Sequence, residues 1–142
     1  MPRPAIARPL WLSTLLILGT IAAGLTLRLA HFGLPQPVVK YGGSILWAAM
    51  LFWIVATLGP RLPAVRAAFV ASAAAFAVEL FKLYHSPALD AFRLTFPGAL
   101  LLGRIFSAWD MVAYAIGITA AALADRVIRS SFAGGVGAAG AA

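Results

Sequence analysis

Between Lys40 and Arg61 the chain runs for 20 residues without a charged side chain, and from Pro9 to Leu27 it does so for 19 more. At 1.5 Å per residue an uncharged apolar run of that length, coiled as a helix, matches the roughly 30 Å hydrocarbon thickness of a bilayer. Two further runs, roughly Pro63 to His85 and Ser107 to Asp125, complete a set of four. Only 11% of the chain is charged and 63% is hydrophobic, whereas a soluble domain carries about 25% charged residues. An open sheet would leave backbone groups unpaired in lipid, so the spans have to be helices. The fold class is therefore all-α, a polytopic membrane protein with four transmembrane helices.

The first span follows a basic start, "MPRPAIAR", as in a signal peptide. Its apolar run is too long for a signal core and no small-x-small cleavage site follows, so it is expected to stay as the first helix. Gly- and Pro-containing turns, "HFGLPQP" and "LGPRLP", separate the next spans. The stretch from Arg93 to Arg104 is apolar, too short to span and broken by Pro97-Gly98. It is expected to be a short interfacial or re-entrant segment between helices three and four. Residues 1–128 form a single membrane domain, and residues 129–142 read as a disordered Gly/Ala tail. Small residues recur at i, i+4: Gly19 with Ala23, Ala67 with Ala71 and Ala75, and Ala113 with Gly117 and Ala121. Such faces let helices approach closely in lipid, within a bundle, against a second copy or against another membrane protein.

Several chemistries are excluded or weakened. There is no cysteine, hence no disulfide, thiol nucleophile or thiolate metal site. A net charge of +7 might point to nucleic acid in a soluble protein, but these bases sit singly at the ends of apolar runs and no nucleic-acid motif accompanies them. His31, His85, Glu79 and Asp110 are metal-ligand types, yet no paired-histidine motif occurs and the interleaved bases would repel a cation. Ser44, Ser86 and Ser107 lack any nucleophile motif. No phosphate-cradling Gly-rich loop and no cofactor signature is present, so no reaction is assigned and an enzyme is not the favoured reading.

The polar residues are nevertheless arranged. With four spans the termini share a side, which carries Arg3, Arg8, Arg61, Arg66, Arg126 and Arg129. The opposite side holds Arg28, Lys40, Lys82, Arg93 and Arg104. Six bases against five give the positive-inside rule a thin preference for cytoplasmic termini. Every acid except Asp125, and both histidines, fall on the second side. Glu79 lies about 10 Å inside the boundary if Ser86 marks it. A lone charge deep in a span costs roughly 2.5–3.5 kcal/mol on insertion scales. Glu79 is too short to snorkel, so it should face the bundle and either pair with a base or stay protonated, with Lys82 at i+3 a ready partner. Arg28 and Lys40 are candidates to complete the network. Asp110 also reads as the last residue of a capping box, "SAWD", and Arg93 as a partner of Asp90.

The stretches "RLAHFGLPQPVVKYGGSILWA" and "ELFKLYHSPALDAFRLTFPGALLLGRIFSAWDMVAYAIG" resemble a family of small bacterial inner-membrane proteins of unknown function, sometimes labelled the YjgA family. The residues that carry the resemblance are Arg28 with His31, Lys40-Tyr41-Gly42, Glu79 with Tyr84-His85, Arg93, Leu102-Gly103 with Phe106, and Asp110 with Tyr114 and Gly117. A more distant pattern, Glu79, Arg93, Asp110 and Gly117, is similar to that of VanZ-like proteins of the cell envelope, with Lys82 standing where their pattern has Gln. The resemblance implies a multi-pass inner-membrane fold and a shared polar layer, and no reaction.

The expected function is recognition of an anionic lipid headgroup or a lipid-linked envelope precursor at one membrane face. Its expected ligand-binding residues are Arg28, His31, Lys40, Tyr41, Glu79, Lys82, His85, Arg93, Arg104, Asp110 and Tyr114, with no metal and no cofactor. Arginine forks suit phosphate and carboxylate groups. Two rivals are a small proton- or ion-coupled transporter relaying through Glu79, and an accessory scaffold whose polar layer is internal glue.

Overall fold

The computed structural model describes residues 8–30 and 32–139, with side-chain surroundings as far as residue 133. Four helices are long and apolar enough to cross a membrane, which makes this a multi-pass membrane protein. They are α1 (Leu10–Leu29), α2 (Gln36–Leu58), α3 (Ala64–Phe81) and α6 (Ala108–Ala139), with the short helices α4 (Pro87–Leu94) and α5 (Phe96–Leu101) between α3 and α6. No strand occurs among the described residues.

Four features differ from the sequence reading. Helix α2 begins at Gln36, before Lys40, because Pro35 and Pro37 sit where a helix start lacks N–H partners anyway. Helix α3 ends at Phe81 instead of running to His85. The Arg93 guanidinium takes the carbonyls of Phe81 and Tyr84 at 2.6 and 2.8 Å, which satisfies the acceptors that a helix end leaves open. The interfacial segment is helical in two pieces. Ser86 and Thr95 are their N-caps, accepting from Leu89 N and Gly98 N, and a proline follows each cap. Helix α6 runs on to Ala139, over part of the stretch read as a disordered tail.

The core forms where α2, α3 and α6 meet, and α1 packs on α2 alone among the helices. Ala67, Ala71 and Ala75 bury one face of α3, and Ala113, Gly117 and Ala121 one face of α6. These two small-residue faces are therefore consumed inside the bundle, around Phe52, Trp53 and Tyr114. Gly19 and Ala23 of α1 face outward. Helices α2 and α6 approach closely at Gly117, where a Cβ would overlap the Ile45 carbonyl of α2.

Gly117→Val should force α2 and α6 apart, costing about 1–3 kcal/mol or more by overpacking. Gly19→Ala, with nothing within 4 Å, should be neutral or slightly stabilising, and thermal unfolding in detergent compares the two.

Candidate functional site

Helical register explains why an acid sits in the interior. Ala67, Ala71, Ala75 and Glu79 continue one i, i+4 row, so the face of α3 that buries alanines also buries Glu79 completely. Glu79 then collects three donors. Lys82 Nζ lies 2.6 Å from its Oε2, the Tyr114 hydroxyl donates to the same oxygen at 2.9 Å, and the Ser107 backbone N–H donates to Oε1 at 2.7 Å. The last of these replaces the capping box expected within "SAWD": the open N–H ahead of α6 is satisfied by a carboxylate from α3. Asp110 is thereby released. Its Oδ1 accepts from the Ser44 hydroxyl at 3.2 Å and its Oδ2 lies 3.5 Å from Lys82 Nζ. Lys82 is buried between two carboxylates and a phenol. Gly103 lets the chain pass beside it. At φ +67° it adopts a left-handed turn, and a Cβ there would lie 2.7 Å from Lys82 Cε.

A pocket of about 410 Å³ opens in front of this cluster. Its polar lining is Arg28 from α1, Lys40 and Ser44 from α2, Lys82, Arg104, and Asp110 and Tyr114 from α6. Trp47 and residues 99–103 form the apolar part of the wall. Four bases thus face one carboxylate, while Glu79 stands behind the wall. Arg28 makes no hydrogen bond or ion pair among the described residues; its Nε would lie 2.9 Å from a Cβ on Gly43. The Lys40 ammonium lies 5.1 Å over the Tyr41 ring and has no carboxylate partner among the described residues. Arg104 bonds the carbonyls of Arg93 and Leu94 at 3.2 and 3.3 Å.

The remaining expected residues are placed otherwise. Arg28 and Lys40 do not join the Glu79 network; they line the pocket in front of it. Arg93 is buried and spends its Nη groups on Phe81 O, Tyr84 O and, at 3.2 Å, Asp90, so it positions the α3–α4 turn and offers no fork to a ligand. His85 is exposed and bonds Asp90 at 3.1 Å, outside the pocket wall, and Tyr41 is likewise outside it. His31 lies outside the described residues. Ser86 caps α4. No group of three or more metal-ligating side chains occurs among the described residues.

One charged cluster has no counterpart in the sequence reading. At the other end of α6, Asp125 is fully buried with Arg8 Nη1 at 2.9 Å and Arg129 Nε at 2.8 Å. Arg129 also reaches Pro60 O at 3.1 Å, and the Arg8 guanidinium lies 5.0 Å over the Trp53 ring. Burial lowers the Arg8 pKa, Asp125 opposing and Arg129 adding to the shift. The spacing of Asp125 and Arg129 at i, i+4 was a signal for half of this cluster. Asp110 and Asp125 lie on the inward face of one helix, about 22 Å apart along its axis.

A family model described as a protein of unknown function, DUF2809, matches residues 34–118. The match takes in Lys40, Glu79, Lys82, Arg104, Asp110 and Tyr114 and leaves Arg28, Arg8 and Asp125 outside it. It is to an uncharacterised family, and the VanZ-like similarity is not shown by it. No solved structure matches the chain.

Removing one member of a buried pair strands the other, at about 3–5 kcal/mol, whereas removing both is far milder. Lys82→Met should therefore destabilise the protein strongly in detergent unfolding, and adding Glu79→Gln should recover much of the loss.

Proposed function

The chain belongs to the DUF2809 family, and from the geometry at the rim of the bundle we propose that it binds a phosphate-bearing lipid headgroup in the pocket between α1, α2, α5 and α6. The observation that carries this reading is the excess of base over acid in that pocket, with Arg28 and Lys40 free of any carboxylate partner among the described residues. In a low-dielectric surrounding such an excess attracts an anion far more strongly than in water. At this depth the abundant anions are phosphate groups of lipids and of lipid-linked envelope precursors. Arg28 supplies a guanidinium fork, Arg104 the Nη1 that its bonds to Arg93 O and Leu94 O leave open, Lys40 a mobile charge, and Ser44 and Tyr114 hydroxyls. Lys82 is already held by Glu79 and Asp110 and shapes the floor.

This reading sets the protein in the bacterial inner membrane with cytoplasmic termini and the pocket at the extracytoplasmic end. The transporter reading places the working group at Glu79, but that carboxylate has its acceptors filled by three donors and stands behind the pocket wall.

Purified protein in nanodiscs should bind phosphatidic acid in preference to diacylglycerol. A hydrogen bond to a charged group is worth roughly 1.5–3 kcal/mol, so Arg28→Gln and Lys40→Gln should each weaken that binding about tenfold or more. Arg61→Gln, exposed at the other end, should leave it unchanged. Wild-type affinity in both rim variants overturns the reading.

A further inference from the structure

A second, apolar cavity of about 140 Å³ adjoins the basic pocket. It follows the seam between α1 and α2, lined by Thr20, Ile21, Gly24 and Leu25 on one side and Leu46 and Met50 on the other. The two cavities share Arg28, Trp47, Leu100 and Leu101 as lining residues, so the apolar slot begins where the basic pocket ends. Its one hydroxyl, on Thr20, lies 2.9 Å from the carbonyls of Leu16 and Ile17 and makes no demand on an occupant. Apart from Arg28 at its mouth, nothing charged lines it.

The direction of the slot fits a hydrocarbon chain, and its volume admits a segment of one, a cavity of about 150 Å³ being enough for a benzene-sized group. From Arg28 to Thr20 the α1 axis covers about 12 Å, against about 15 Å for the hydrocarbon of one leaflet. We propose that this slot holds one hydrocarbon chain of the same phosphate lipid, so that the protein takes its ligand by headgroup and tail together; the proposal rests on the reading of the rim pocket as a phosphate site. A chain leaving the bilayer for the slot exchanges apolar neighbours for apolar neighbours, so the slot contributes position more than affinity. It orients the lipid with its phosphate held at Arg28. It also distinguishes a lipid-borne phosphate from a free one, because only the former fills both cavities.

Gly24 offers a clean test. A Cβ there would meet Leu46 Cβ at 3.8 Å, an ordinary contact, so a larger side chain grows into the slot without displacing backbone. Lysophosphatidic acid carrying a photoreactive group in mid-chain is the probe, in nanodiscs with the full-length protein. Wild type should be labelled along the α1–α2 seam, between residues 20–25 and 46–50, and excess unlabelled lipid should suppress the label. Gly24→Leu should lower that labelling about tenfold while leaving the binding of water-soluble glycerol phosphate unchanged; Arg28→Gln should lower both. Label spread over the outward faces of wild type, unaffected by competitor, overturns the tail site. So does undiminished seam labelling in Gly24→Leu. In either case, Arg28-dependent binding of glycerol phosphate would leave the headgroup reading standing. Failure of the wild type to bind glycerol phosphate or phosphatidic acid removes the headgroup reading and the tail site with it.

Discussion

A carboxylate buried at the rim of four apolar helices sets the terms for everything around it. Glu79 has no exposed surface, and an uncompensated charge in that position would oppose insertion of α3 by several kcal/mol. Its donors come from three places: Lys82 on its own chain turn, Tyr114 on α6, and the backbone ahead of α6. Satisfying it therefore fixes where α6 starts relative to where α3 ends. Asp110 becomes free to take Ser44 of α2, which brings the third helix of the core into the same register. Buried ion pairs of this kind contribute little net stability against an apolar substitute; their contribution here is to specify one alignment of α2 with the two small-residue faces of α3 and α6.

The charges at the rim divide into two populations. Those deepest in the wall are engaged with one another: Lys82 lies between Glu79 and Asp110, and the three hold shape. Those in front, Arg28 and Lys40, meet no acid among the described residues and face space. Arg93 joins neither group. By closing the end of α3 through backbone carbonyls it turns the chain into α4, and its own carbonyl then seats Arg104. A rim of this construction has a floor tied by ion pairs, while Arg28 and Lys40 line the space in front of it.

Much of this was legible in the sequence because hydrocarbon leaves few options. Uncharged runs of span length give the helices, and an acid too short to snorkel has to turn inward, as Glu79 does with Lys82. Asp90 with Arg93 was legible from spacing. What escaped depends on partners without a sequence signature. The bonds of Arg93 go to two backbone carbonyls, so its residue type pointed to a ligand that it does not face. The capping role at Ser107 is filled from another helix. Ser86-Pro87 and Thr95-Phe96-Pro97 carry helix-start chemistry, but the apolar stretch around Pro97-Gly98 reads from sequence as one interfacial or re-entrant segment. Arg8 with Asp125 joins residues far apart in the chain through a fold that had first to be known.

The position of both α6 carboxylates has a consequence for biogenesis. Helix α6 is the last of the described spans to leave the ribosome, and it delivers Asp125 to Arg8 and Asp110 to Ser44 and Lys82. Until it enters the bilayer, the first helix is held by its seam with the second, and the rim has Glu79 and Asp90 to set against its bases. Closure of the bundle thus waits on α6, the helix that carries an acid to each of its ends.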